Sequence, residues 1–248
     1  MKITTIRTEP VTKGAMSLRE LLDRYVTDLK DGSIVAVTSK VVSLCEDKGV
    51  AVGTVDVQEL ARKEAEYYLA PGNNLGYALT VNRGILTSKA GVDESNTGGY
   101  YVPWPDDPQK SANDAREYLA KKFGVRVGVI ITDGRVTPMR RGVIGIGLSH
   151  SGFLALHNLV GQKDIFGTYE LKYTYDGVLD GLAAAAAVQM GEGDQCRPIA
   201  IIEDADFVEF QDRNPTKDEL ALLNIDLEDD LFAEMLKGIA WDKRPEGR

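Results

Sequence analysis

Apolar positions in this chain fall into runs of two kinds. SIVAVT at 33–38, VGVIIT at 127–132 and the apolar part of RPIAIIED are unbroken and rich in β-branched residues. That pattern predicts strands covered on both faces. Residues 2–8 alternate weakly and predict a first strand, which Pro10 breaks before the loop PVTKGAM. LTVNRGILTS predicts a hairpin with its turn at Asn82-Arg83-Gly84, and the Gly-rich VIGIGLSHSG reads as a tightly packed strand. Other stretches repeat at the helical period. Ser17 and Glu20 form a capping box ahead of a helix over 18–30, ended by Asp31-Gly32. Residues 57–70 predict a second helix. SANDAREYLAKKFG predicts a third, capped by Ser111, striped by Leu119 and Phe123, and stopped by Gly124. GFLALHNLVGQKDIFG predicts a partly helical segment. ELKYTYDGVLDGLAAAAAVQMGEGD begins as a strand and becomes an Ala-rich helix ending at Gly191. Beyond Pro215, NPTKDELALL and DLFAEMLKGIAW predict one or two helices.

SKVVSL, directly after SIVAVT, continues the run β-rich, and the three-proline stretch TGGYYVPWPDDPQ is a turn-rich connection. Strands and helices mix without a strict βαβ rhythm. The expected fold class is therefore α+β, mixed sheets with flanking helices; a doubly wound α/β sheet ranks second. The chain reads as one unit over residues 1–248, divided at most into two intertwined subdomains, with a helical C-terminal tail at 215–248.

Composition narrows the partners. The chain has 248 residues, 43% hydrophobic and 27% charged, enough to bury a core. No run of 18 apolar residues and no signal-like h-region occurs, so a cytoplasmic location is expected and no membrane partner. A net charge of −9 disfavours nucleic-acid binding, which needs clustered Lys and Arg. An acidic protein that binds a nucleotide must do so locally, through a metal ion, backbone N–H groups and a few placed cations. The two cysteines, Cys45 and Cys196, read as small buried hydrophobes, and His150 and His157 as structural residues. No GxxxxGK[ST] phosphate loop, CxxC or HExxH is present.

Carboxylates beside glycine carry more information. AGVDESN offers Asp93, Glu94 and Asn96. ITDGR places Asp133 straight after a buried strand. QMGEGDQ sets Glu192 between Gly191 and Gly193. Hard cations such as Mg²⁺ or Mn²⁺ take such oxygen ligands and keep nucleotide phosphates in their shell. Arg140 and Arg141 supply planar, permanently charged donors for a phosphate or carboxylate. These residues alone point to a metal-assisted site for an anionic substrate.

SKVVS, AGVDESN, VGVIITDGRVTPMRRGVIGIG, GQKDIFG and MGEGD, in this order, resemble the coenzyme F-420-0:gamma-glutamyl ligase family from about residue 8 to 203. The resemblance implies an unusual α+β ligase fold assembled as an intertwined homodimer. It implies attachment of L-glutamate to a carboxylate of the F-420 precursor with GTP (or ATP) and two divalent ions, Mg²⁺ or Mn²⁺. It assigns Asp93, Asp133 and Glu192 to metal, with Gly134 standing in the metal set where the family usually has a Ser or Thr. It assigns Pro10, Val11, Thr12, Lys13, Ser39, Lys40, Asn96, Gly191 and Gly193 to the nucleotide. Arg140 and Arg141 are the expected catalytic clamp on the acceptor or the incoming glutamate. Leu44 replaces a family lysine that contacts nucleotide. These departures resemble a divergent bacterial branch linked to folate γ-glutamylation. Two rivals are carried forward: a nucleotide-binding module without turnover, which Leu44 and Gly134 favour, and a metal-dependent phosphohydrolase.

Overall fold

The computed structural model describes residues 1–244. The alternating start forms β1 (Lys2–Ile6). Ser17 caps α1 (Leu18–Tyr25) with the expected capping box: its hydroxyl accepts the Glu20 N–H, and the Glu20 carboxylate accepts the Ser17 N–H. The helix ends short of residue 30 because Val26 turns extended and buries with Leu29 in the core. β2 (Ser33–Thr38) follows, and then the β-branched SKVVSLC forms α2 (Ser39–Cys45). Burial of Val41, Val42 and Leu44 on this helix overrides their strand preference. After β3 (Val50–Ala51), Asp56 caps α3 (Val57–Glu64). That helix stops before residue 70 because the aromatic pair Tyr67-Tyr68 enters β4 (Tyr67–Leu69). β5 (Leu79–Asn82) and β6 (Ile85–Ser88) make the expected hairpin, with Arg83 and Gly84 both at positive φ, 52° and 73°.

β7 (Tyr100–Tyr101) precedes α4 (Pro108–Phe123), which Asp107 caps with Pro in its first turn, so Ser111 lies inside the helix. Gly124 ends it in the left-handed conformation. β8 (Val127–Val136) runs four residues past Thr132 and pairs with β9 (Val143–Ser151). β10 (Leu156–Asn158) and β11 (Tyr175–Gly177) pair across the segment expected to be partly helical. That segment turns instead at Gly161 and Gly167, both at positive φ, with the Asp164 carboxylate accepting the N–H groups of Thr168 and Tyr169. The strand before the Ala-rich helix shrinks to β11. The helix itself, α5 (Val178–Met190), stops at Gly191 as expected. β12 (Ile199–Glu203), α6 (Lys217–Ala221), α7 (Ala233–Leu236) and β13 (Asp242–Lys243) complete the described chain. The tail is thus two short helices and an edge strand; residues 245–248 lie outside the described residues.

The main sheet has the order β1-β12-β2-β8-β9, antiparallel except for the central parallel pair β2 and β8. One parallel pair makes the fold mixed α+β, not doubly wound. Alternate residues of β2 serve two cores. Val35 and Val37 pack with Leu21, Leu22 and Leu119 from α1 and α4. Ile34 and Ala36 pack with Leu179, Leu182 and Ala186 of α5. The glycines of β9 are packing sites: a Cβ at Gly145 would lie 2.5 Å from the Ala183 carbonyl oxygen, and one at Gly147 2.3 Å from Leu179 Cγ. A second sheet, β13-β4-β5-β6, carries its own small core of Ala61, Ala65, Tyr68, Ala78 and Ala90.

Both cysteines are half-buried, and burial pushes the Cys45 thiol up to about 12. His150 is structural: it is 1% exposed, packs on Phe153 and leaves Nδ1 without a partner. Loss of water pushes its pKa down to about 4. The unfolded chain therefore binds a proton there between about pH 6.5 and 4 that the fold refuses, and stability falls as pH falls through that window. His150→Gln should flatten the loss, worth up to about 3 kcal/mol, in urea unfolding measured at pH 7 and pH 4.5.

Candidate active site

The parallel register aligns Thr38 with Thr132, so β2 and β8 deliver their polar sequels to the same edge of the sheet. β2 leads into Ser39 and Lys40, and β8 carries Asp133 and Gly134. A bulge between Ile131 and Thr132 leaves Leu148 of β9 as the extra residue, a common feature beside functional sites. The end of α5 brings Gly191, Glu192 and Gly193 to the same edge from the opposite face. The loop after β6 brings Asp93 and Asn96. Together with residues 8–11 and 194–198 these enclose a cavity of about 360 Å³.

Hydrogen bonds tie these segments together. Lys40 Nζ pairs with Asp93 Oδ2 at 2.7 Å and donates to the Ser95 carbonyl oxygen at 2.6 Å. Asn96 Nδ2 donates to the Gly193 carbonyl oxygen at 2.9 Å. The Gly193 N–H donates to Gln195 Oε1 at 2.8 Å, and the Thr8 N–H to the Cys196 carbonyl oxygen at 2.8 Å. Burial pushes the Asp93 carboxyl up, but Lys40 and the Ser95 and Glu94 N–H groups outweigh it and hold the group below its usual range. Asp133 behaves oppositely. Part of it reaches the cavity, but protein atoms crowd the carboxyl, and loss of water pushes it up to about 6. Donors from Trp104, the Gly134 N–H and the Ser39 hydroxyl oppose that rise, and the charge of Asp93 adds to it.

Of the residues expected at the site, Pro10, Val11, Lys40, Asn96, Gly191 and Gly193 line the cavity, as do Asp93, Asp133, Gly134 and Glu192. Others do not. Ser39 is buried beneath it and reaches Asp133. Thr12 is exposed outside it, and Lys13 is committed to Asp47 at 2.8 Å. Arg140 and Arg141 are exposed on the turn between β8 and β9. Leu44 is 1% exposed, in the core rather than at the cavity. A Cβ at Gly134 would lie 2.6 Å from Val143 Cγ1, so a Ser or Thr there would have to displace Val143. Sequence reasoning did not assign Gln195, Arg197 or Trp104. Of these, Trp104 lies in a distinctive stretch, YYVPWPDDP, though nothing in it named the residue's partner.

Five lining carboxylates (Glu9, Asp93, Asp133, Glu192 and Asp194) face two cations, Lys40 and Arg197. Among the described residues, no three His, Cys, Asp or Glu side chains gather closely enough to cage a metal, and no cation pairs with Asp133 or Glu192. Mg²⁺ needs no such cage; it is held by one or two carboxylates plus water and substrate phosphates. The donor set fits a cation shared with a phosphorylated ligand.

An acid-rimmed cavity at the carboxyl ends of two parallel strands is where open sheets bind ligands. The sequence profile of the F420-0:Gamma-glutamyl ligase family matches residues 5–204, and the chain belongs to that family. The coenzyme F420:L-glutamate ligase of Methanocaldococcus jannaschii is 35% identical over 215 residues, 79% of this chain and 85% of that one. Its namesake in Methanopyrus kandleri is 33% identical over 223 residues, 80% and 87% of the two chains. Among the described residues no helix is long and apolar enough to cross a membrane.

The raised Asp133 makes a stability prediction. Its folded value lies above its unfolded one, so ionisation costs stability as pH rises from about 4 to 6. Asp133→Asn should stabilise the metal-free protein by up to about 3 kcal/mol near pH 7.5 and leave it unchanged below about pH 4, read by urea unfolding.

Proposed function

We propose that this chain is a nucleotide- and divalent-metal-dependent γ-glutamyl ligase. It joins L-glutamate to a carboxylate of F420-0 or of a folate-like acceptor through an acyl phosphate. The observation that carries the reading is the shared cavity: acids from the 93 loop, β8 and the end of α5 meet Lys40 and Asn96 there. Family membership supports glutamate ligation as the chemistry.

A carboxylate resists amide formation because its leaving group would be oxide. Attack by an acceptor carboxylate oxygen on the γ-phosphorus of GTP or ATP breaks its bond to the β,γ-bridging oxygen, expels the nucleoside diphosphate and makes a mixed acyl phosphate anhydride. The glutamate amine then attacks the acyl carbon, phosphate leaves, and the amine gives up a proton. Asp93, Asp133 and Glu192 are the residues that would hold one or two Mg²⁺ or Mn²⁺ ions. Such ions, when bound, screen phosphate charge and stabilise the transferring group. Lys40, Asn96 and the Gly191–Gly193 turn contact the nucleotide, with residues 10–13 and Ser39 beside them. Gly134 leaves room beside Glu192, whose Oε1 would lie 3.6 Å from a Cβ there.

Arg140 and Arg141 keep the role of clamp on the carboxylates of acceptor or glutamate, which requires their turn to close over an occupied cavity. Exposed Val136, Met139, Val143 and Ile144 on that same hairpin support its burial in an intertwined homodimer. The whole chain, 1–248, is proposed as the functional unit, and the cytoplasm, where nucleotide and glutamate are plentiful, as its compartment. Buried Leu44 and bare Gly134 favour one rival, a nucleotide-binding module without turnover.

Purified protein should release phosphate from GTP or ATP with Mg²⁺ only when both L-glutamate and F420-0 or a folate are present, and mass spectrometry should show one added glutamyl group. Glu192→Gln should lower that rate by roughly 100-fold. Nucleotide binding without phosphate release would establish the binding module instead, and release without glutamate a phosphohydrolase.

A further inference from the structure

We propose that Trp104 is a positioning residue for Asp133, its indole N–H claiming one carboxylate oxygen so that the other is presented to the cation. The inference rests on the metal-dependent reading above and adds a residue that reading does not use. Trp104 is 3% exposed, and its Nε1–H donates to Asp133 Oδ2. Its ring and its backbone are both held. Lys48 Nζ donates to the Trp104 carbonyl oxygen at 2.8 Å, and the buried Ser43 hydroxyl to the neighbouring Pro103 carbonyl oxygen at 2.7 Å.

The ring lies against a strained turn made to receive it. Lys89, Ala90 and Gly91 all have positive φ, at 50°, 53° and 80°. Non-glycine residues adopt that conformation in succession only when their surroundings impose it. Here the buried Thr80 hydroxyl accepts the Ala90 N–H at 2.7 Å, and Asn82 Nδ2 donates to the Ala90 carbonyl oxygen at 2.9 Å. A Cβ at Gly91 would meet the indole at 2.1 Å, so the turn and the ring are matched. The second sheet thereby fixes an acid of the first. A carboxylate free to rotate would share its oxygens between donors and cation; the packed indole, with the Gly134 N–H and the Ser39 hydroxyl, restricts that rotation. An indole N–H donates but cannot accept, so it can pair with the carboxylate and cannot compete with it for a cation.

Only two tryptophans exist, so the test is spectroscopic. In ¹⁵N-labelled protein the indole region shows two resonances, and Trp241→Phe assigns them. Addition of Mg²⁺ with a non-hydrolysable nucleotide should shift the Trp104 resonance and leave Trp241, which donates to the Leu236 carbonyl oxygen, in place. Trp104→Phe should keep its circular dichroism and bind Mn²⁺ roughly 10–100-fold more weakly, as for other partners of metal ligands. An unmoved Trp104 resonance in protein that binds Mg²⁺ and nucleotide overturns the proposal. So does wild-type Mn²⁺ affinity in Trp104→Phe while Asp133→Asn loses it. Undiminished Mn²⁺ affinity in Asp133→Asn as well would instead remove Asp133 from the metal site and the function above with it.

Discussion

The parallel pairing of β2 with β8 is the constraint on which the site depends. Parallel strands in register end together, so whatever follows one is placed beside whatever follows the other. Both strands are covered on both faces, by α1 and α4 on one side and α5 on the other. A slip of one residue would exchange the two apolar sets and refill both cores, so the register is strongly held. The precision of the Ser39, Lys40 and Asp133 arrangement is inherited from packing some distance below it.

The second constraint is the height of α5 above the sheet. Ala183 and Ala187 lie directly on Gly145 of β9, and Leu179 fills the space that Gly147 leaves open. A larger side chain in either row would lift the helix and carry Glu192 away from Gly134. The Gly-rich strand thus serves packing, as its composition predicted, and still sets where an acid of the site sits. Its close fit opposes the cost of holding Asp133 partly dehydrated, as functional sites commonly draw on stability made elsewhere.

Much of this was legible in the sequence because its causes are local. The unbroken apolar runs, the Ser17 capping box, the Asn82-Arg83-Gly84 turn and the stop at Gly191 each express short-range chemistry. What was not legible depends on distant partners. The SKVVSL half became helix because the core demanded its burial. The segment at 152–167 has helix-compatible composition, but its glycines and the Asp164 turn decide it. At the site, carboxylates beside glycine marked the cavity well, since those acids sit where strands and helices end. Thr12 and Lys13 were assigned by resemblance and the two arginines from their charge, and the placement of all four outside the cavity lining follows from pairing and turn geometry that spacing cannot express. Trp104 was visible as an oddity, but its partner lies 29 residues away.

The departures from the family pattern form a connected set when taken with packing. Leu44 is sealed in the core and brings no charge to the cavity, where the resemblance implies a lysine. Gly134 leaves the space that a hydroxyl would take, and Val143 leans into it. Lys40, the cation that remains beside Asp93, is already engaged by it at 2.7 Å. The cavity is left with more carboxylates than cations, and a triphosphate entering it alone would add like charge to like. Coulomb repulsion at such separations costs several kcal/mol at an effective dielectric near 20, by order of magnitude. On the proposed reading, this excess of carboxylates favours a triphosphate that enters together with divalent ions, and a Lys at 44 would add a cation there only if α2 first gave up its buried face.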